Sequence, residues 1–305
     1  MNTGPSVLLN TDLPLPLFFR GKVRDSYDLG NQLLIIATDR ISAFDVVLPC
    51  GIPKKGLVLN QLSTFWFRQT KHLVPNHLVE AVDDIYCLDA YIPEESRFPY
   101  PSYLTGRSMI VKKLRRIPIE CVVRGYLSGS AWTEYQQYGA ISEIALPKGL
   151  QESQELPRPL FTPTTKAESG HDQPLTADEM KRLVGEALAG ELKEKSLAIY
   201  SYAREYARTR GIIIADTKME FGLDNDKLIL IDELLTPDSS RFWDTSQYKV
   251  GQSQPSYDKQ PVRDWLIQSG WNKEPPAPML PPEVIEATTR RYQHAYERLT
   301  GRKLK

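Results

Sequence analysis

Residues 212–233 alternate charge with bulk in a pattern that an extended backbone can exploit. After the apolar run Ile212-Ile213-Ile214-Ala215, the charged Asp216, Lys218 and Glu220 alternate with Thr217, Met219 and Phe221. Successive side chains of a strand point to opposite faces, so the three charged groups share one face while Met219 and Phe221 turn to a core. Asp224-Asn225-Asp226 has turn composition, and 227–231 returns as a second apolar run that ends at Asp232 and Glu233. A three-residue loop here pairs Leu223 with Lys227, Glu220 with Leu230 and Lys218 with Asp232, which brings Asp232 onto the charged face. Two carboxylates from neighbouring strands with a lysine between them suit magnesium on a nucleotide's phosphates. A solvent-facing hairpin with cross-strand ion pairs draws on the same residue types.

The flanking chain has punctuation of its own. Runs at 17–27 and 32–38 are joined by Asp28-Leu29-Gly30-Asn31, a hairpin composition, and further short strands are predicted at 84–88 and 108–111. The basic run 112–116 then reads as a connector. At roughly 150 residues per domain, a chain of 305 residues divides into about two. The basic run is the expected seam, giving a β-rich lobe at 1–115 and an α+β lobe at 116–305. Past it come a strand at 119–123, a turn at Arg124-Gly125, and a helix at 130–138 stopped by Gly139. The stretch 147–174 is broken by prolines and reads as a long functional loop. Thr176 and Glu179 form a capping box before a helix or helix pair that runs to about Arg210, where Gly211 stops it. Pro281-Pro282 opens a last helix that ends at Gly301.

Several functions are excluded early. Lys plus Arg total 38 and Asp plus Glu total 38, so no bulk field recruits nucleic acid or an anionic membrane. Cys50, Cys87 and Cys121 have no CxxC spacing, and Cys121 lies in an apolar run as a core residue would. His72, His77, His171 and His294 show no metal-ligand spacing. No apolar run approaches the roughly 18 residues of a membrane span. The start of the chain lacks a secretory pattern. A reduced, cytoplasmic protein is expected.

Charge therefore acts locally, and two segments are built for anions. In 236–243, hydroxyls stand beside Arg241, whose planar fork suits a phosphate. Arg124, with Ser128-Gly129-Ser130 opening the next helix, offers a second pocket into which helix N–H groups point. A helix cap beside a surface arginine is the plainer alternative for each. In the first hairpin Lys22 and Arg24 share a strand face, without the glycines of a phosphate-loop motif.

Together these segments resemble the phosphoribosylaminoimidazole-succinocarboxamide synthase (SAICAR synthetase) family of purine biosynthesis, in its longer form. The resemblance is carried in order by GKVRDSYD at 21–28, TDRISAFD at 38–45, RGYLSGS at 124–130, FTPTTKA at 161–167, DTKMEFG at 216–222, IDELLTPDSSRFW at 231–243 and SYDKQ at 256–260. Ala131 stands where the family often has glycine, and Met219 where it often has Phe or Leu. Neither position supplies chemistry.

The resemblance implies a two-lobe α+β fold resembling protein kinases and ATP-grasp enzymes, with ATP in the cleft. It implies ligation of L-aspartate to carboxyaminoimidazole ribonucleotide through an acyl phosphate, releasing ADP and phosphate. A small-molecule kinase or a non-catalytic nucleotide-binding module are the alternatives for the same cleft. By the family pattern, Lys22, Arg24, Ser26, Lys112 and Lys166 contact the nucleotide, and Glu220 and Asp232 hold magnesium. Lys218 stabilises transferred charge and Asp216 orients substrate. Arg124, Ser128, Ser130, Asp238, Ser240 and Arg241 take the ribonucleotide, while Asp39, Arg40 and Ser42 line the site.

Overall fold

The structure is a computed structural model that describes residues 7–166 and 172–304. His171 and Ala167 lie outside the described residues. In chain order the elements are β1 (Leu17–Arg20), β2 (Arg24–Asp28), β3 (Gln32–Ala37), β4 (Arg40–Ala43), β5 (Val46–Gly51), α1 (Lys55–Thr70), β6 (Leu78–Ala81), β7 (Ser108–Lys112), β8 (Arg115–Tyr126), α2 (Ser130–Tyr138), β9 (Ala140–Ile141), β10 (Ile144–Ala145), β11 (Glu155–Phe161), β12 (Thr164–Thr165), α3 (Ala177–Val184), α4 (Glu186–Thr209), β13 (Ile212–Asp224), β14 (Lys227–Ile231), β15 (Ser240–Asp244), α5 (Gln260–Gln268) and α6 (Pro282–Thr300). Mixed helix and sheet in this order make the α+β class.

Two sheets organise the molecule. The first has the order β1-β2-β3-β7-β6, and the second runs β11-β8-β13-β14 with β15 also paired to β13. The first sheet buries Tyr27, Leu34, Ile36 and Ile110 against Leu88 and Leu104, and each such side chain removed from water contributes about 1.5–3 kcal/mol. In the second, Met219 and Phe221 of β13 and Cys121 and Val123 of β8 join one core with Leu192, Ile199, Tyr200 and Ala203 of α4. The α4 positions recur every three or four residues, so one helical stripe covers the apolar sheet face. Gly125 is required at this contact, because a Cβ there would stand 1.9 Å from the Tyr200 hydroxyl. That hydroxyl donates to the Ile214 carbonyl at 2.7 Å.

Capping follows the sequence closely. Thr176 accepts from the Glu179 N–H while Glu179 reaches back to the Thr176 N–H, a capping box worth about 0.5–2 kcal/mol. The helix pair breaks at Gly185. Gly139 and Gly301 both stop their helices in the left-handed conformation.

Elsewhere the local pattern misleads. Residues 84–88 form no strand: the Asp84 side chain accepts from the Tyr86 N–H and caps a 3-10 turn at Ile85–Ala90. Arg124-Gly125 is no turn, for β8 runs through it to Tyr126, held by β13 on one side and β11 on the other. The proline-rich stretch contributes β11 and β12, both paired with β8. Lys22 sits in the tight turn joining β1 to β2, not on a strand face. The β13–β14 register is shifted by one residue, pairing Asp224 with Lys227 and Glu220 with Ile231. Asn225 and Asp226 both take positive φ, 47° and 63°, and so close a two-residue loop whose twist suits the strands.

Candidate active site

The charged face of the second sheet is the centre of the site. Antiparallel pairing sets Glu120 of β8 opposite Glu220 of β13, and Arg124 opposite Asp216. On its other side β13 pairs Asp216 with Arg241 of β15. Opposed residues of antiparallel strands share a face, so three strands deliver Glu120, Arg124, Asp216, Lys218, Glu220 and Arg241 to one surface. The other face at this point is apolar and covered by α4.

Two clusters divide this surface. In the first, Asp216 accepts from Arg124 Nη1 at 3.5 Å and from Arg241 Nη1. Arg124 also reaches Ser130 Oγ at 3.3 Å at the start of α2. Gly129, with φ 58°, lies directly under the Arg241 guanidinium, and a Cβ there would stand 2.5 Å from Nη2. A left-handed residue with no side chain is what lets Arg241 cross to Asp216. The Ser128 hydroxyl is buried without a hydrogen-bond partner among the described residues. Ser240 differs from the expectation in orientation: its hydroxyl donates to Thr217 Oγ1 at 2.8 Å on the buried side of β13.

The second cluster holds the carboxylates. Glu120, only 7% exposed, accepts from Lys218 Nζ at 2.5 Å and from Lys166 Nζ at 3.2 Å. Lys166 also lies 2.8 Å from Glu220. Burial would depress the Lys166 ammonium, but the charges of Glu220 and Glu120 raise it above the ordinary lysine range and keep it cationic. Asp232 reaches the cluster through its backbone rather than through strand register. It ends β14 with φ 68°, a left-handed turn, and its carboxylate meets Arg24 Nη2 at 2.7 Å. Burial, and next the charge of Asp232, raise the Glu220 carboxyl to about 7. Asp232 is shifted the other way, chiefly by Arg24, against its own burial.

The remaining expected residues scatter. Arg24 is partly buried on β2, with Ser26 two residues on along the same strand face. Lys22 pairs with Asp45 in the neighbouring turn, both half exposed. Lys112 is exposed and lies 3.1 Å from Asp224 at the far end of β13. Asp39 and Arg40 are spent inside the fold. Asp39 accepts from the Leu8 and Gly56 N–H groups, each at 2.9 Å, and Arg40 grips the buried Asp25 at 2.7 Å. Ser42 is buried in β4. Asp238 bonds to Lys55 and Tyr292.

The sequence reading missed Glu120, which faces the site, and Lys55 and Tyr292, which are buried behind it against Asp238. Glu120 left a signal, a lone carboxylate inside the apolar run 117–123. A buried charge of that kind needs partners.

Known proteins are similar to this chain in sequence and in fold. Residues 17–278 match the family model described as SAICAR synthetase. The phosphoribosylaminoimidazole-succinocarboxamide synthase of Thermodesulfovibrio yellowstonii is 54% identical over 300 residues, covering 97% of this chain and 99% of that protein. The solved SAICAR-synthase from Saccharomyces cerevisiae complexed with SAICAR superposes with a TM-score of 0.88 at 45% identity, covering 97% of this chain and 99% of that one. A SAICAR synthetase (Type-2) in complex with ADP shares the fold, with a TM-score of 0.67 at 24% identity over 94% of this chain and 99% of that one.

Proposed function

The chain belongs to the SAICAR synthetase family, and we propose a division of labour within its cleft for that family's reaction. The enzyme joins L-aspartate to carboxyaminoimidazole ribonucleotide at the expense of ATP, a ligation step of purine biosynthesis. A carboxylate resists attack by an amine because it is negatively charged and has no leaving group. Transfer of the γ-phosphoryl to a carboxylate oxygen, with ADP departing, creates one. The aspartate amine then attacks the acyl carbon, the carbon–oxygen bond to phosphate breaks, and an amide and free phosphate remain.

The observation that carries the assignment is the split of one sheet face into an arginine-rich half and a carboxylate half. Arg124 and Arg241 converge on Asp216 beside the N-terminus of α2. That half takes the ribonucleotide and its phosphate, where the guanidiniums and helix N–H groups favour an anion. With Asp216 engaged by both arginines, its role is to orient rather than to abstract a proton. The half around Glu120 takes the transferring group. Lys218, half exposed above Glu120, supplies positive charge where phosphoryl charge accumulates. Lys166 adds a second cation, and Arg24 with Lys22 covers the phosphates from the first lobe.

Glu220 and Asp232 fit magnesium. Both are hard oxygen donors, and each is paired here with a side-chain cation, Glu220 with Lys166 at 2.8 Å and Asp232 with Arg24 at 2.7 Å. Among the described residues no group of three acidic, histidine or cysteine side chains forms a metal site, and a magnesium held by Glu220 and Asp232 would take its other ligands from phosphate and water. A bound magnesium would screen phosphate charge at this spot. We divide the lobes near 112–116 with the cleft between them, and contacts cross that division: the β4–β5 hairpin packs on α5, and α1 packs into the core of the second sheet beside α6. No helix of the described residues is long and apolar enough to cross a membrane. We place the reaction in the cytoplasm, a reading supported by three free cysteines.

The test is ADP release by the purified protein. Turnover should require both L-aspartate and carboxyaminoimidazole ribonucleotide, and unchanged turnover without either would refute the substrate assignment. A stable phosphorylated product formed without aspartate would indicate a kinase instead.

A further inference from the structure

We infer that Tyr292 is a positioning residue for the ribonucleotide half of the site, acting through Asp238; the inference rests on the assignment of Arg241 to that substrate. The Asp238 carboxylate is 6% exposed and both of its oxygens are taken. Oδ2 accepts from Lys55 Nζ at 2.8 Å, and Oδ1 accepts from the Tyr292 hydroxyl at 2.5 Å. Lys55 opens α1 and is fully buried, while Tyr292 lies in the middle of α6 and is 1% exposed.

An ammonium at that depth is tolerated because a carboxylate meets it, and turning Asp238 toward a ligand would strand Lys55 in the core. Burial opposes ionisation of Asp238, yet Lys55 and then Lys259 hold it below the ordinary carboxylate range. Asp238 is therefore a fixed post. The next residues transmit its position. The Ser239 carbonyl accepts from the Lys218 N–H at 3.0 Å, Ser240 donates to Thr217, and Arg241 meets Asp216.

From post to guanidinium is three residues, two of them locked to β13. Such a link carries a displacement of the Asp238 carboxylate to Arg241, and a small misplacement of a phosphate-binding fork costs affinity. The helix that sets the post begins at Pro282, beyond the last residue matched by the family model, residue 278.

The experiment compares the full-length wild type with Tyr292→Phe, which keeps the ring and deletes the hydroxyl. The KM for carboxyaminoimidazole ribonucleotide should rise about tenfold while the KM for ATP stays within about twofold, the loss of one bond to a charged group. Amide exchange should quicken at 236–241 and stay unchanged in α4. Arg241→Ala is run in parallel. If it leaves the ribonucleotide KM unchanged, the assignment of Arg241 itself fails. If it raises that KM and Tyr292→Phe does not, only the positioning role fails. Should Tyr292→Phe not fold, Asp238→Asn, which weakens the Lys55 contact at equal volume, must reproduce the selective rise. Equal loss for both substrates, or failure of both variants to fold, overturns the inference in favour of a purely structural role.

Discussion

Arg24 Nη2 and Asp232 Oδ2 lie 2.7 Å apart across 208 residues of sequence, joining the first sheet to the end of β14. The cation proposed to bind phosphate and the carboxylate proposed to bind the metal thus neutralise one another. Glu220→Gln and Asp232→Asn should each lower magnesium-dependent turnover by about 100-fold or more, as loss of one preorganised charge at a transfer site does. Nucleotide affinity in the presence of magnesium should fall in both. The melting temperature should fall further in Asp232→Asn, which leaves Arg24 facing Glu233 alone at 3.7 Å. Full activity in both variants removes the metal assignment.

Glu120 supports two cations, Lys166 and Lys218, from one buried position. Lys218→Met should reduce kcat by about 100-fold with little change in the KM for ATP, because the missing charge is the one proposed to act on the transferring group. Glu120→Gln should weaken both lysine contacts without removing either cation, so a smaller loss in kcat is expected. Steady-state kinetics with both substrates varied separates the two. A larger loss in Glu120→Gln than in Lys218→Met would make Glu120 the more important group.

The strand period made the charged face legible, since alternation at 216–220 depends only on neighbours in sequence. Which other groups reach that face depends on register, and register depends on turns that composition leaves open. Positive φ at Asn225 and Asp226 moved the hairpin by one residue, and the backbone of Asp232 then recovered the convergence that the expected pairing had assigned to register. Lys55 and Tyr292 were illegible for a stronger reason. Each is ordinary on its own helix, and only packing of α1 and α6 around the loop at 238 gives them a common partner. Asp39 and Arg40 show the reverse: polar residues in a motif string that fold inward to serve backbone and a buried pair.

The three thiols should be chemically quiet. Burial raises Cys121 to about 12 and, with help from neighbouring acids, Cys87 to about 11, and it raises Cys50 as well. The thiolate is the reactive form. Iodoacetamide at pH 8 should leave activity intact and label Cys121 only after unfolding, as mass spectrometry of the alkylated peptides would show. Rapid inactivation through Cys121 would contradict its place in the core.

Acid stability should depend on Asp244. This carboxylate at the end of β15 accepts from the Ser246 N–H at 2.9 Å, from the Tyr257 hydroxyl at 2.7 Å and from Arg298 Nη1 at 2.6 Å. Arg298 in turn donates to the Arg210 and Gly211 carbonyls, at 3.2 and 3.0 Å, and so closes the end of α4 against α6. Burial would raise Asp244, but the bonds from Ser246 and Tyr257 and the charge of Arg298 hold it well below the usual carboxylate range. The folded state therefore prefers the ionised form more strongly than the unfolded chain does. That preference stabilises fully above the unfolded value of about 3.9 and is lost as pH falls below it. Asp244→Asn should cost about 1–3 kcal/mol at pH 7, the range for a hydrogen-bonded charge. Denaturant midpoints at pH 7 and pH 3 measure it, with the gap between wild type and variant expected to narrow at pH 3. A gap that stays constant would mean that the charge of Asp244 contributes nothing and that shape alone holds α6 to β15.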